Sequence, residues 1–465
     1  MSQTGLYQRL VRADRADQSE QEQERIAHNG LRHVSADALQ QVGDQVVNAK
    51  TVLPWVLAAV GAPAFFTALL VPVRESGSML PQAAMAPVLE RVARRKRFWL
   101  WGAAGQALGA VGMALTVAMA SGSVAGLGVV LFLALFSLAR SLNSLAGKDV
   151  LGRTVPKGER GQISGLTTVL SGAVAITLGL GIRLLGGDGG GGGAGGGGAG
   201  AVGGGAVGGG AGDLADGSGQ VWVLAVLLGV AALAWVAALL VFAGIREPAA
   251  EVAEGQDGGP GWVTESWTLL REDAPFRRFV IARGLLLVSA LSPPFVVAMA
   301  ARDGGGGLAG LGPFVIASGI AGLVGGRIFG RLADRSSQRL LTGGAIAASM
   351  IVLAFLALHR VESLRETAAL WLYPVVFLLL ALAHTGVRVG RKTYVVDMAG
   401  DERRTAYVAV SNTAIGVVLL LAGAVSGALA LLGPEVALLF LAAAGLLSAL
   451  VSRSLPDVSA DHPAA

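Results

Sequence analysis

The chain lacks cysteine and is poor in charge. None of its 465 residues is a cysteine, which excludes a disulfide framework and a cysteine-ligated metal or redox site. Its five histidines never occur in the HExxH spacing of zinc proteases. Only 14% of the residues are charged, whereas soluble domains carry about 25%. We therefore expect no catalytic residue, no metal site and no cofactor, and a chain that is not an ordinary soluble protein.

Long apolar runs are what the sequence has instead. Hydrophobic residues make up 53% of the chain, and the mean hydropathy is +0.62. Because about 20 apolar residues cross a bilayer as a helix, the pattern predicts an all-α membrane protein in contact with lipid. The first predicted span is the weakest, because it carries Asp44, Asn48 and Lys50. The twelve predicted spans are 38–62, 63–89, 98–120, 124–147, 163–185, 220–244, 278–300, 307–329, 340–359, 369–390, 406–431 and 434–453.

Basic residues alternate between the connections. Eighteen Lys and Arg follow the even-numbered spans 2, 4, 8 and 10, against four in the connections on the opposite side. Since cytoplasmic loops accumulate Lys and Arg, both termini are predicted to be cytoplasmic, in a multi-pass protein of the inner membrane. The net charge of +5 then reflects topology, and we expect no nucleic acid partner.

Four segments separate or flank two bundles of helices. Residues 1–37 and 456–465 are predicted cytoplasmic tails, and 186–219 is a glycine-rich outer loop of linker composition. Residues 246–277 form the longest cytoplasmic connection, with a short surface helix predicted around Trp267. The first bundle is therefore predicted over 38–185 and 220–245, and the second over 278–455.

The two bundles resemble each other in sequence. The segment GKDVLGRTVPKGERGQ (147–162) aligns with GRKTYVVDMAGDERRT (390–405) at an offset of 243, and ERVARRKR (90–97) aligns with GRLADRSS (330–337) at 240. Two separate loops agree to within three residues, which indicates a parallel six-plus-six repeat.

The segment GRLADRSSQR (330–339) resembles the G-x-L-x-D-R-x-G-R-R loop signature of the major facilitator superfamily. The resemblance covers roughly residues 38–455 and implies twelve transmembrane helices in two pseudo-symmetric six-helix bundles. Ser337 departs from the signature, Arg94 replaces its Asp in the first copy, and helix 5 lacks the GPxxGG motif of the superfamily's antiporters. The stretches VPVRESGSMLPQ and GRKTYVVD resemble an uncharacterised bacterial branch of the superfamily.

The resemblance also implies a cytoplasmic gate. The loop with Gly330, Asp334, Arg335 and Arg339 would grip the first half at the start of helix 5 when the cavity is closed on that side. Arg160 would then pair with Asp334, and the helix start would offer free N–H groups to the carboxylate. The alternative is that Asp334 only caps helix 9 or pairs within its own loop.

Charges interrupt the apolar run of the second helix, in VPVRESGSMLP (71–81). A charge at the bilayer centre costs roughly 3 kcal/mol, and the neighbours Arg74 and Glu75 point about 100° apart. Lys50 lies at a similar depth, so we predict that Lys50 and Glu75 form a hydrogen bond or face one cavity. Glu75 is the expected proton-coupling residue. The alternative is a static clamp between two helices.

Further buried basic residues lie on the helices that, by the resemblance, line a central cavity. Arg140, Arg283 and His384 fall on helices 4, 7 and 10, as Lys50 falls on helix 1. This excess of positive charge favours a negatively charged solute. Arg388 lies toward the inner end of helix 10 as well. The alternatives are that Arg283 and Arg388 reach the inner surface and that His384 is a packing residue. Pro293 and Pro294 predict a break in helix 7.

These features predict a secondary active transporter that works by alternating access and moves a small polar solute. No ATP-binding loop is present, so a gradient of protons or of another coupling ion would drive it. We expect a monomer and no enzymatic activity. Two alternatives stay open at this stage, a polytopic membrane enzyme and a non-transporting sensor or scaffold on the same fold.

Overall fold

A computed structural model describes residues 3–11, 19–90, 92–156, 159–187, 211–248, 262–303, 310–398 and 404–458, with some side chains inside the helices left out. Within these ranges the chain is helical. The helices are α1 (Gln3–Leu10), α2 (Glu20–Val46), α3 (Val52–Ala59), α4 (Ala64–Glu90), α5 (Lys96–Met119), α6 (Gly122–Thr154), α7 (Arg160–Gly187), α8 (Ala211–Ala243), α9 (Trp262–Glu272), α10 (Ala274–Leu285), α11 (Val288–Asp303), α12 (Gly312–Arg335), α13 (Ser337–His359), α14 (Glu362–Met398), α15 (Arg404–Ala430) and α16 (Pro434–Arg453).

Eight segments of the described chain are long and apolar enough to cross a membrane. They lie in α5, α6, α8, α10 with α11, α13, α14, α15 and α16. The pair α2–α3 and the helices α4, α7 and α12 complete a set compatible with the twelve predicted passes. The α2–α3 pair and α4 carry the polar residues of the central cavity described below, which lowers their hydropathy without placing those residues against lipid.

The two halves repeat in their element boundaries. Helices α5 and α13 begin at Lys96 and Ser337, which are 241 residues apart, within the offset that the loops predicted. The first pass of each half is broken, between α2 and α3 and between α10 and α11. The second break lies at Leu286–Leu287, ahead of Pro293 and Pro294, which sit inside α11. A proline leaves the carbonyl four residues before it without a helical partner. Here these carbonyls belong to Ser289 and Ala290, which lie inside α11 just after the break, so the prolines do not coincide with it.

The described part of the segment before the first span is largely helical, which the prediction of a tail over 1–37 did not specify. Helix α2 begins at Glu20, where the Ser19 side chain accepts from the backbone N–H of Glu22, and it runs without interruption toward the membrane. Its apolar side packs in a buried cluster that includes Tyr7 and Ile163. The abundant Glu and Gln of this segment occupy the exposed side of one amphipathic helix.

Polar contacts attach this helix to the ends of α6 and α8. The Asn29 amide donates to the Arg246 carbonyl at 3.1 Å and accepts from the Arg246 N–H at 2.8 Å. A His33 ring nitrogen lies 3.0 Å from the Thr154 hydroxyl, and the His33 ring meets Phe242 edge-on. His33 precedes the predicted span, and its burial lowers its pKa to about 4.

The connection between the halves contains α9, and α10 begins four residues before the predicted boundary at 278. The Asp273 side chain accepts from the Phe276 N–H at 2.9 Å and thereby caps α10. Asp273 also accepts from the Tyr407 hydroxyl on α15. This cap ties the connection to the second half.

The halves meet through α7 against α12 and through α4 against α15. We call the membrane side that carries both chain termini the terminus side and the other the far side. Toward the far side, a Cβ built on Gly179 would lie 2.7 Å from Ile316 Cγ1, so these helices touch backbone to side chain. Trp55 of α3 packs on Phe314 of α12, with ring centroids 6.2 Å apart. These contacts bring the two halves together toward the far side.

Candidate functional site

A cavity of about 540 Å³ lies between the two halves. Helices α2, α4, α6 and α7 of the first half and α11, α12 and α14 of the second line it. Its volume is in the range that accommodates a small organic molecule. Two carboxylates and five cationic side chains are among its described lining residues, an excess of three positive charges: Asp44, Glu75, Lys50, Arg74, Arg140, Arg388 and Arg391.

The first-half wall contains a charge triad, which we define as Asp44, Arg74 and Arg140. The Arg74 Nη2 lies 3.0 Å from Asp44 Oδ1. The Arg140 Nη1 donates to both Asp44 oxygens, at 2.6 Å for Oδ2. The Arg74 guanidinium also lies 4.9 Å from the centroid of the Phe136 ring. One carboxylate thus holds two cations from two other helices.

The break in the first pass brings Lys50 to this cavity. Helix α2 ends at Val46, and the Asn48 side chain accepts from the Lys50 N–H at 2.9 Å. The Asn48 carbonyl accepts from the Leu53 N–H at 3.0 Å, which starts α3. The short turn therefore supplies its own hydrogen bonds where the helix is interrupted, and the cavity is polar at this depth.

The second-half wall presents His384, Arg388 and Arg391 from α14. Their spacing of four and three residues places them on one face of the helix. Electrostatic interactions link Arg391 to Glu75 and Arg388, and they link Lys50 to Glu75 and both arginines. A His384 ring nitrogen lies 3.4 Å from the Ser289 hydroxyl of α11. Among the described residues, no ion pair within 4 Å joins Glu75 to a cation of this wall.

The structure brings five of the six predicted pathway residues to the cavity: Lys50, Arg74, Glu75, Arg140 and His384. Lys50 and Glu75 face it together without a direct ion pair in the described part of the chain. Arg283 does not line it. Its guanidinium is buried and donates to Ser411 Oγ at 2.8 Å and to Asn412 Oδ1 at 3.0 Å, so it joins α10 to α15.

The predicted gate falls largely outside the described side chains, namely those of Gly330, Asp334 and Arg160. Arg335 and Arg339 are exposed. The side chain that caps α13 is that of Ser336, which accepts from the Arg339 N–H at 3.2 Å. Ser336 also donates to Asp457 Oδ2 at 2.6 Å. The latch between Asp334 and Arg160 stays a prediction.

Three charged cavity residues are absent from the site that the sequence predicts: Asp44, Arg388 and Arg391. In the sequence, Asp44 only weakens the first span. Both arginines lie at the cytoplasmic end of the tenth span, where they contribute to the predicted topology. The signal was available in the spacing from His384, since Arg388 and Arg391 continue its helical face.

The chain is similar in fold to solved structures of membrane transporters. No family model matches the sequence, and no curated protein sequence matches it. A D-xylose-proton symporter has 10% identity and a TM-score of 0.63, over 92% of this chain and 98% of that one. A point mutant of the nucleoside transporter NupG has 12% identity and a TM-score of 0.62, over 92% and 99%. A POT family transporter in complex with 5-aminolevulinic acid has 9% identity and a TM-score of 0.64, over 91% and 94%.

At such low identity the likeness bears on the fold, and it extends over nearly the full length of each chain. The signature-like loop at 330–339, the two repeated halves and the central cavity agree with it. The chain therefore has the fold of the major facilitator superfamily, in a multi-pass helical membrane protein.

Proposed function

We propose that this protein is a secondary active transporter that carries a small polar, negatively charged solute by alternating access. The cavity between the halves is the solute site, with Lys50, Arg74, Glu75, Arg140 and His384 in the pathway. The fold supports this assignment, since the similar structures are those of sugar, nucleoside and peptide transporters.

The observation that carries the proposal is the charge of the cavity. Seven ionisable side chains placed inside a membrane protein are costly, and charged residues at such depth face a watery space or one another. Among the described residues that line the cavity, only the triad is paired directly, and the cations of α14 face open volume. A packing role would favour complete pairing, whereas a solute site needs cations that are free to bind.

Protons are the coupling ion that we propose, in line with the proton symporter among the similar structures. Glu75 is the proposed proton carrier, because its carboxylate faces the cavity without a direct ion-pair partner among the described residues. Asp44 is the second acid in the cavity, but it is engaged in ion pairs with Arg74 and Arg140. The Asp44 triad is therefore assigned to the frame of the first half.

The proposed orientation has both termini in the cytoplasm and the protein in the inner membrane of the cell. Eighteen basic residues in the connections of the terminus side and at the adjoining helix ends, against four on the far side, support it. The cavity is closed on the far side by the contacts at Gly179 and Trp55. In the opposite state, the proposed latch of Asp334 with Arg160 would close the cytoplasmic side.

Solute-dependent proton movement in proteoliposomes tests the function. Vesicles that contain the full chain and a trapped pH dye are exposed to panels of sugars, nucleosides, dipeptides, carboxylates and sugar phosphates. We expect a change in internal pH with at least one anionic solute, abolished by a protonophore and by Glu75→Gln. The exposed acid Glu272, changed to Gln, is the matched control. No solute-dependent flux across the panel, with folded protein, would contradict the proposal.

A further inference from the structure

Three cations of the cavity form a cluster that we call the α14 anion cluster: Lys50, Arg388 and Arg391. All three line the cavity, and electrostatic interactions connect Lys50 with each arginine and the two arginines with each other. Like charges repel, so gathering them in a membrane is unfavourable without an anion among them. The arrangement points to a negatively charged occupant.

Among the described residues that line the cavity, the carboxylate that interacts with this cluster is that of Glu75. Its electrostatic partners are Lys50, Arg391, Arg74 and Arg140. The other cavity carboxylate, Asp44, is already engaged by Arg74 and Arg140 at ion-pair distance. In the described part of the chain, Glu75 lies within 4 Å of none of its cationic partners. The Glu75 carboxylate therefore offsets part of the positive charge without forming an ion pair. The hydrogen-bonding positions around the cations are left for another anionic group.

We propose that Lys50, Arg388 and Arg391 bind an oxyanion group of the solute, a carboxylate or a phosphate, and that Glu75 is the tethered counter-ion with which this group competes. This inference rests on the proposed use of the cavity as the solute site. It adds the residues that recognise the anion and assigns Glu75 an opposing effect on binding.

The chemistry of the side chains suits this role. A guanidinium presents its N–H groups in a planar fork that matches a carboxylate or a phosphate, and the lysine adds a point charge. Arg388 and Arg391 stand one turn apart on a single helix of the second half, while Lys50 comes from the first half. An anion held among them connects the two halves, which is the geometry that a state closed around its solute requires.

The relation of Glu75 to the cluster gives the proposal its sharpest consequence. Removal of a cation should weaken anion binding, whereas removal of the Glu75 charge should strengthen it, because the same cations then face one competitor fewer. A purely structural network predicts no such opposition, since any of these substitutions would only loosen the fold.

Calorimetric titration of the purified full chain measures both effects. The probes are succinate and glycerol 3-phosphate, with the neutral succinamide and glycerol as their uncharged counterparts. The variants are Arg388→Gln, Arg391→Gln and Glu75→Gln. Lys392→Gln is the matched control, since Lys392 is next to Arg391 on α14 but is exposed and does not line the cavity. Arg391→Lys, which keeps the charge, covers the case that Arg391→Gln does not fold.

We expect at least one anion to bind in preference to its neutral counterpart, and the two anions to show whether carboxylate or phosphate is favoured. Each arginine-to-glutamine change should weaken that binding by about tenfold or more, and Glu75→Gln should tighten it by about threefold to tenfold. Lys392→Gln should leave it unchanged, and Arg391→Lys should retain part of it.

Equal binding of charged and neutral probes would overturn the inference. So would an Arg391→Gln protein that binds like Lys392→Gln, or a Glu75→Gln protein that binds the anion more weakly. The outcome is independent of transport. If proton flux in vesicles follows a neutral solute alone, proton-coupled transport stands, and both the anionic solute and the anion site are lost. If anions bind as described but no solute moves, the site stands and transport is lost.

Discussion

The two walls of the cavity carry similar residues in different states. On the first-half wall, Asp44 holds Arg74 and Arg140 at ion-pair distance. On the second-half wall, Arg388 and Arg391 face the volume of the cavity, and no ion pair within 4 Å involves either of them among the described residues. An electrostatic interaction links Arg391 to Glu75 of the opposite half. The same residue type is thus neutralised on one side and left available on the other.

The difference separates structure from recognition. Arginines paired with a fixed carboxylate gain little from a second anion, because their charge is already balanced and their donors are engaged. Arginines without such a partner gain much more binding free energy from an anion. The first half also carries the N-terminal helix α2, which ties α6 and α8 together through Asn29 and His33. We interpret the first half as the braced partner and the second-half wall as the side that takes hold of the solute.

The largest expected effect comes from breaking the triad. Asp44→Asn leaves Arg74 and Arg140 facing each other without their counter-charge, at 14% and 32% side-chain exposure. Removal of one member of a buried pair is strongly destabilising, and we expect about 2–4 kcal/mol here. Thermal unfolding in detergent measures it. Glu75→Gln should lower the melting temperature much less, and equal losses for the two variants would remove the distinction between the walls.

The next largest effect is a pH dependence of the folding stability, which arises at His33 where α2 contacts α6. The folded protein keeps His33 neutral down to about pH 4, whereas the unfolded chain protonates it near 6.5. Because the unfolded state binds this proton first, stability falls as the pH drops from 6.5 toward 4. We expect a contribution of about 2 kcal/mol between pH 6.5 and 5 that is missing in His33→Gln. Melting temperatures of both proteins across this range, parallel at every pH, would speak against the buried neutral histidine.

A larger side chain at the contact between α7 and α12 tests how the two halves close. A Cβ on Gly179 would meet Ile316 and the Gly312 carbonyl at 2.7 and 2.8 Å, whereas a Cβ on Gly181 would meet nothing within 4 Å. Gly179→Ala should therefore open the far side and raise the labelling of a cavity cysteine from that side by severalfold. Gly181→Ala should behave like the parent protein. Identical labelling in both variants would show that α7 and α12 do not form the far-side closure.

The smallest expected effect concerns one hydrogen bond between the halves. The buried Ser76 hydroxyl of α4 donates to the Gly416 carbonyl of α15 at 2.7 Å. Ser76→Ala should shift the balance between the two open states by about 0.5–1.5 kcal/mol, measured by the same labelling. Ser137→Ala is the control, because the Ser137 hydroxyl bonds to Leu133 of its own helix. A shift of equal size in the control would assign the effect to packing alone.

Much of the fold follows from the sequence, because lipid leaves few options for the backbone. Apolar runs and the repeated loops predicted the passes and the two halves. The prediction of a tail over 1–37 did not specify α2, because the buried residues of this helix lie among many polar ones.

For the charged residues of the site, the sequence predicted some locations but not the pairings. Their similar depth in the first two predicted spans indicated that Lys50 and Glu75 face one cavity, but depth could not show that Asp44 pairs with Arg74 and Arg140. Arg283 carried the same signal as Arg140, yet it turns to Ser411 and Asn412. Which buried charge pairs with which depends on the rotation of each helix, and the apolar pattern of the sequence fixes that rotation only loosely.

The most direct measurement uses the absence of cysteine. A single cysteine in place of Ala381, which lines the cavity on α14, has no background from the parent chain. Vesicles of both orientations are treated with a membrane-impermeant maleimide, and a cysteine in place of the lipid-facing Leu379 is the control. Alternating access predicts labelling of residue 381 from either side of the membrane, with little labelling of residue 379. Labelling of residue 381 from one side only, in both orientations and with folded protein, would contradict a transporter that opens its cavity to each side in turn.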